Sequence, residues 1–259
     1  MLRNHLLPEI FVINLNRSLD RLNSINKLFN SYKADFTRVE AIDGKDIFDL
    51  SSVGYNDKLN QKLYHKPLNK GEVACILSHK RALTKFIETS DNPVALILED
   101  DAYFNEDLLI FSSKVHPSYN NWDVIKLHGG KKAKKQLKTI PIYKGYSLGF
   151  PCKIPNSNLG QLVSKKGAEK ILKLYDNFAK PADVILQNWW QSGLVVLHCT
   201  PNLVYSNESK SIINSFQNRN EVQYSKSKKL KQKIRFEFEL LHNKPDLSIL
   251  EKVKSSVTT

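Results

Sequence analysis

The stretch Val94-Ala-Leu-Ile-Leu-Glu-Asp-Asp-Ala102 places an apolar run directly before three consecutive carboxylates. A short continuous apolar run is typical of a strand covered on both faces, as in the parallel or mixed sheet of an α/β protein. Such sheets bind ligands at the carboxyl ends of their strands. There, Glu99 and Asp101 point to the same side of an extended backbone, whereas Asp100 points to the other side unless the chain turns. The pattern predicts that Glu99 and Asp101 hold one divalent cation, Mg²⁺ or Mn²⁺ rather than zinc; the alternative is a solvated acidic loop.

Strands and helices alternate on both sides of this stretch. The run EIFVINL at Glu9–Leu15 predicts a buried strand, and the segment after it has apolar residues at helical spacing. Gly71–Glu88 carries an apolar stripe and is predicted to be a helix, as are Ser164–Phe178 and Pro181–Gly193. Leu194–Ser206 is predicted to be one late strand. This alternation indicates a layered α/β domain.

The remaining segments give weaker signals about domain organisation. Residues 48–70 are polar, lack a sustained period and are interpreted as a surface excursion. The sequence has no clear linker, so we predict one catalytic domain over residues 1–220 with a basic, helical extension over residues 221–259. Three widely spaced cysteines, Cys75, Cys152 and Cys199, lack metal-binding pairs and are interpreted as buried small hydrophobic residues.

The chain is strongly basic. Its 39 Lys and Arg residues against 26 Asp and Glu give a net charge of +13, which implies an anionic partner such as nucleic acid, a membrane surface or a phosphate-bearing substrate. Lysines concentrate in Lys131–Lys138 and in the tail from Ser225. Each would gain about 1 kcal/mol at an anionic bilayer, so one hypothesis is peripheral docking on the inner face of the cytoplasmic membrane. The sequence has no apolar run near the roughly 20 residues of a spanning helix, which predicts a cytoplasmic location.

Five short motifs occur together in a recognisable order. They are FVINLNRSLDRL, VEAIDGKDI, NKGEVACILSHKRAL, ALILEDDA and VSKKGAEKIL. In order and approximate spacing, this set resembles glycosyltransferase family 25, which includes bacterial lipooligosaccharide glycosyltransferases and collagen galactosyltransferases. The resemblance implies a GT-A fold, a Rossmann-like nucleotide-binding fold with a mixed central sheet. It also implies inverting transfer of a hexose, most often galactose from UDP-galactose, to the lipid A-core oligosaccharide of bacterial lipooligosaccharide.

The resemblance also implies roles for particular residues. Glu99 and Asp101 would form the metal site, with His198 as a third ligand, and Asp183 would be the catalytic base, with Asp100 as the second candidate. Alternatives stay open: Arg21 could belong to an exposed basic helix face, His79 could be a core histidine, and Asp183 could only stabilise a helix N-terminus. The residues implied in binding the donor nucleotide are Asn14, Leu15, Arg17, Arg21, Ser78, His79 and Glu99.

Two segments depart from the family pattern, and both bear on the acceptor. Asn156–Leu162 lacks the family's aromatic entry, and Glu208, Ser209, Ser211 and Ile212 match its closing element only in part.

Two other function classes compete with glycosyl transfer. A basic nucleic-acid-binding protein would explain the charge but leaves the carboxylates unexplained, and the sequence has no RNP, KH or zinc pattern, so no nucleic acid is expected. A metal-dependent phosphodiesterase could use the same carboxylates.

Overall fold

The computed structural model describes residues 7–130, 134–206 and 225–258, and these form a mixed α/β structure. Its main sheet has eight strands in the order β2-β1-β3-β8-β5-β9-β7-β6, and a separate antiparallel pair joins β4 to β10. The strands are β1 Glu9–Asn14, β2 Thr37–Glu40, β3 Val94–Glu99, β4 Ala102–Phe104, β5 Val124–Lys126, β6 Gln136–Tyr143, β7 Tyr146–Pro151, β8 Gly160–Ser164, β9 Val196–Thr200 and β10 Val204–Ser206.

The sheet combines both strand directions. β1 is parallel to its neighbours β2 and β3, and β5 is parallel to β9, whereas β8 is antiparallel to both β3 and β5. Residues 94–98 of β3 are completely buried, which confirms a strand covered on both faces. The predicted fold class, a GT-A-like mixed sheet flanked by helices, is confirmed.

Helices pack on both faces of the sheet and complete two apolar layers. One layer contains side chains of α1, α4 and α9, and the other contains side chains of α3, α5 and α6. The helices are α1 Leu19–Ser31, α2 Asp57–Leu63, α3 Lys70–Thr89, α4 Asp107–Val115, α5 Lys165–Tyr175, α6 Ala182–Gln187, α7 Trp189–Ser192, α8 Lys226–His242 and α9 Ile249–Thr258.

Three segments differ from their predicted structure. The helix predicted over Pro181–Gly193 is divided into α6 and α7 because the backbone of Asn188 leaves the helical region. The predicted late strand is divided into β9 and β10 around Pro201, which cannot donate to a strand ladder. Residues 48–70 are more than a surface excursion: they contain α2, whose first turn is capped by the Asn56 side chain, and they bury Asn60.

The C-terminal segment contributes to the same core as the sheet. Leu250 and Val253 of α9 are fully buried in the layer that also contains α4. The domain boundary predicted near residue 220 lies outside the described residues and stays a prediction, as do the partial family matches at Glu208, Ser209, Ser211 and Ile212. Within the described ranges, the helices are all too short or too polar to cross a membrane.

Candidate active site

A first cleft lies where the parallel strands β2, β1 and β3 end. Because the carboxyl ends of parallel strands meet at one edge, the chain segments that leave them converge there. The α3 helix covers the opposite wall and contributes Cys75, Ser78 and His79. The other lining residues used below are Leu15, Arg21, Ala41–Gly44, Glu99, Asp100 and Asp101.

Asp100 is held by two side chains from the first strand and helix. Its Oδ2 accepts a hydrogen bond of 2.8 Å from Asn14 Nδ2, and its Oδ1 accepts one of 3.0 Å from Arg21. This arrangement arises because β3 ends at Glu99 and the chain turns at Asp100 and Asp101. The extended geometry assumed for Glu99 and Asp101 in the sequence analysis therefore does not hold, although both residues line the first cleft.

Asn14 and Arg17 support this cleft without lining it. Asn14 is buried and uses its amide on the Ser18 carbonyl as well as on Asp100, while its Oδ1 accepts from Arg38. Arg17 forms an ion pair with Asp43, which is a lining residue. Both side chains thus fix the loops that follow β1 and β2.

Asp101 carries a perturbed carboxyl group. Burial and, to a smaller extent, the nearby charge of Glu99 raise its pKa to about 6, although the Arg21 guanidinium acts in the opposite direction. Two carboxylates that repel each other in this way are an arrangement that a bound cation would stabilise. The oxygen donors of Glu99 and Asp101 fit a divalent ion of the Mg²⁺ or Mn²⁺ type.

The helix α3 adds a nitrogen and a sulfur donor beside Glu99. A capping box at its start fixes the helix, since Asn69 accepts from the Glu72 backbone N–H and Glu72 accepts from that of Asn69. His79 is almost fully buried on the apolar side of α3, as its spacing predicts, and its Nε2 lies 3.2 Å from Glu99 Oε1. Ser78 accepts a hydrogen bond from the Ile42 backbone N–H and so holds the loop after β2.

Among the described residues, Cys75, His79 and Glu99 form the one group of at least three possible metal ligands within 4.8 Å of one another. Burial and the charge of Glu99 raise the pKa of the Cys75 thiol well above its usual value, which keeps it protonated at neutral pH. A protonated thiol is a poor ligand, and Mg²⁺ and Mn²⁺ prefer oxygen. The fit to such an ion therefore rests on the carboxylates of Glu99 and Asp101. Cys75 and Cys152 are only partly buried as whole residues, so the prediction that all three cysteines are buried holds in full only for Cys199.

A second cleft shares Cys75 and Glu99 with the first. Its far side is formed by the start of α6, where Asp183 lies in the first turn. Burial raises the pKa of Asp183, and the nearby Lys126 ammonium acts in the opposite direction. Other lining residues used below are His65, Asn158 and Lys229.

The family of this chain follows from its similarity to known proteins. Residues 7–186 match the family model described as glycosyltransferase family 25 (LPS biosynthesis protein), and this match covers more than half of the chain. The chain belongs to glycosyltransferase family 25. The matched range includes Glu99, which lines both clefts, and Asp183, which lines the second.

Relatives of this family 25 member include animal proteins. A glycosyltransferase 25 family member of Aedes aegypti is 27% identical over 237 residues, covering 84% of this chain and 34% of the relative. Procollagen galactosyltransferase 1-B of Xenopus laevis is 30% identical over 178 residues (63% of this chain, 28% of the relative), and human procollagen galactosyltransferase 2 is 27% identical over 183 residues (63% and 27%). The chain thus spans about a third of the length of the curated relatives it matches.

Lys126 of this family 25 member is a residue near both clefts' carboxylates that the sequence analysis missed. It is fully buried at the end of β5, where its ammonium donates to Asn158 Oδ1 at 2.9 Å and to Gln161 Oε1 at 3.2 Å. Burial lowers its pKa to about 8, while the negative charges of Asp183 and Glu99 counteract this shift. The available signal was a lysine inside the otherwise apolar run VIKL, since lysine is almost never fully buried without a polar partner.

His198 lies apart from the two carboxylates to which the sequence analysis assigned it. Its Nδ1 is 2.9 Å from Gln136 Nε2, and its Nε2 packs against Gly129, where a Cβ would come within 2.7 Å. Neither His198 nor Asp101 belongs to the group of ligand atoms around Glu99 within the described part of the chain. The role of His198 as a third metal ligand stays a prediction, and the contacts of this histidine favour a structural role.

The buried imidazole of His198 predicts acid-sensitive stability. Burial lowers its pKa from 6.5 to about 4, so the unfolded state takes up a proton before the folded state does. The stability contributed by the neutral ring is therefore present above pH 6.5 and is lost as the pH falls towards 4, by about 2 kcal/mol at pH 5. Urea unfolding at pH 7.5 and pH 5 should show a smaller pH-dependent loss for His198→Asn than for the wild type. Equal losses would contradict this origin of the acid sensitivity.

Proposed function

We propose that this family 25 glycosyltransferase transfers galactose from UDP-galactose, with inversion, to a sugar hydroxyl of a bacterial lipid A-core oligosaccharide. The observation that carries the proposal is that Glu99 lines both clefts, so its side chain borders the two of them. A donor diphosphate in the first cleft and an acceptor hydroxyl in the second would meet there. The names of the procollagen galactosyltransferases support galactose as the transferred sugar.

The first cleft suits a nucleoside diphosphate. Arg21 lies in its wall, and the hydrogen bond to Asp100 holds the guanidinium group in place, where it can bind phosphate oxygens. The apolar side chains of Leu15, Ala41 and Ile42 offer a surface for the base and ribose. The second arginine, Arg17, acts indirectly in this proposal because its partner is Asp43.

Glu99 and Asp101 would hold the Mn²⁺ or Mg²⁺ ion of this proposal. When bound, such an ion neutralises charge on the departing diphosphate. The two side chains fit it because, beside burial, the charge of Glu99 raises the pKa of Asp101, and a cation would replace this repulsion by attraction. His79 orients Glu99 through its Nε2–H.

Asp183 is the proposed base that removes the proton from the acceptor hydroxyl. Inversion by a single displacement needs such a group next to the attacking oxygen. Burial raises the pKa of Asp183 towards the range in which a carboxylate is an effective base, and the buried Lys126 favours its charged form. Asp100 is less suited, since both of its oxygens already accept hydrogen bonds.

The proposed acceptor is a lipid-linked bacterial oligosaccharide at a membrane. The bacterial acceptor follows the family description, which names lipopolysaccharide biosynthesis. A lipid-linked acceptor lies at a membrane, and the net charge of +13 suits peripheral docking on an anionic inner leaflet. Three residues of the first lysine block, residues 131–133, lie outside the described residues.

A panel of UDP-sugars tests the proposed reaction. With truncated core oligosaccharide as acceptor, we expect UDP-galactose to be consumed at least tenfold faster than UDP-glucose or UDP-N-acetylglucosamine, because a few polar contacts in a pocket discriminate sugar epimers. The measurements are release of UDP and the mass of the extended oligosaccharide. Equal UDP release without acceptor would instead indicate hydrolysis, and preference for another sugar would reject galactose.

A further inference from the structure

The helix α8 has two faces that differ in exposure. Its inner face packs on the body of the protein: Phe236 contacts Trp190 with ring centroids 5.7 Å apart, and Gln232 Oε1 lies 2.9 Å from His65 Nδ1. Glu237 on the adjoining side forms an ion pair with Lys153. These contacts define which side of the helix faces the body of the protein.

The outer face of α8 is an exposed apolar stripe. Leu230, Ile234, Phe238 and Leu241 are 59%, 61%, 60% and 66% exposed. At 100° per residue these four positions fall within an arc of about 80°, opposite the inner face that carries Phe236. A continuous exposed row of large apolar side chains is unusual for a surface that only meets water.

Cationic residues border this stripe on both sides. α8 carries six Lys and Arg residues against two glutamates. By their helical positions, Lys231 and Arg235 flank one edge of the stripe, and Lys226 and Lys233 flank the other, where Glu237 also lies with its charge paired by Lys153. An apolar stripe between two rows of cations is the pattern of a helix that lies in the interface of an anionic bilayer.

The same helix reaches the second cleft. Lys229 of α8 lines this cleft together with Asp183, and Gln232 contacts His65, another lining residue. A surface bound through the outer face of α8 would therefore lie near the rim of the cleft assigned to the acceptor.

We infer that α8 is a membrane-binding helix that inserts its apolar stripe into the headgroup region of an anionic bilayer, with its flanking cations on the phosphates. This inference deepens the proposed function, since it assigns the contact that brings a lipid-linked acceptor to the second cleft. It differs from attraction by surface lysines alone because the stripe supplies a salt-resistant, apolar component of binding.

Vesicle sedimentation with the full chain tests the stripe. We expect binding to vesicles of 25% phosphatidylglycerol in phosphatidylcholine, much weaker binding to pure phosphatidylcholine, and an at least tenfold loss for Ile234→Ser with Phe238→Ser. The matched control is Phe48→Ser, which removes a 95% exposed phenylalanine elsewhere on the surface and should bind as the wild type does. Melting curves check that all variants fold.

The cations and the depth of insertion have separate tests. Each charge near the surface contributes roughly a fivefold change in affinity, so Lys231→Glu with Arg235→Glu should bind far more weakly than Lys166→Glu with Lys173→Glu, an equal charge change on exposed positions of α5. Lipids with brominated acyl chains should quench the additional tryptophan fluorescence of the Phe238→Trp variant but not that of the Phe48→Trp variant.

Several results would overturn the inference. Wild-type binding by the stripe variant, or binding that vanishes entirely at 0.5 M salt, would leave only surface electrostatics. A concentration-dependent dimer that the stripe variant abolishes would assign the face to a second copy of the chain. Vesicle binding needs neither donor nor acceptor, and the stripe variant should retain wild-type activity on a water-soluble acceptor. Failure of the inference and failure of the proposed transferase reaction are therefore distinguishable.

Discussion

Asp183→Asn is expected to lower kcat by about a thousandfold while leaving the affinity for UDP unchanged. The amide keeps the shape of the carboxylate but cannot accept the proton of the acceptor hydroxyl, and a positioned base contributes 10²- to 10⁴-fold. UDP binding should persist because Asp183 lines the second cleft and not the first. Steady-state kinetics with a saturating acceptor and calorimetry with UDP provide the two measurements.

Asp176→Asn is the matched control for this substitution. Asp176 follows α5 and pairs with Lys80 at an exposed position, so its loss should leave turnover near the wild-type value.

The pH dependence of the wild type provides a second test of Asp183. Activity should fall on the acid side as Asp183 takes up a proton, at a pH above that of an ordinary carboxylate, because burial raises the pKa of Asp183. A near-normal kcat of Asp183→Asn, together with a lower melting temperature, would show that Asp183 stabilises the start of α6 and is not the base.

Local patterns predicted the elements that carry the site. The apolar run before Glu99 predicted β3, and the apolar stripe of α3 predicted that His79 faces inward, because each signal depends only on neighbours along the chain. The same reasoning placed Asp183 at the start of a helix. These features are dictated by periodicity, and the tertiary structure preserved them.

Contacts between distant segments could not be predicted in this way. Asp100 is 86 residues from Asn14 and 79 from Arg21, and their hydrogen bonds decide which way its carboxylate turns. Similarly, the buried Lys126 ammonium finds a hydrogen-bond acceptor in the side chain of Asn158, which lies 32 residues later. The end of β3 at Glu99, and not the side-chain alternation of an ideal strand, sets the geometry of the three carboxylates.

Glu99→Gln is expected to abolish the stabilisation that UDP and Mn²⁺ together give the protein. A ligand at one hundred times its Kd adds about 2.7 kcal/mol, which corresponds to a rise of roughly 5 to 10 °C in Tm for a chain of this size. We expect this rise in the wild type and less than 1 °C in the variant. Without ligand, the variant should melt close to the wild type, because the amide can still accept the His79 hydrogen bond and loses both the repulsion from Asp101 and the attraction to Lys126.

Two comparisons separate the cation from a general loss of structure. Glu88→Gln removes a carboxylate from an exposed position near the end of α3 and should retain the full response to UDP and Mn²⁺. A wild-type response to UDP that is unchanged in EDTA would show that donor binding needs no cation. Because Asp101 has a pKa of about 6, protonation below that pH should weaken the response in the wild type. A full response in Glu99→Gln would remove Glu99 from the donor site and, with it, the reason for placing the reaction beside the side chain that borders both clefts.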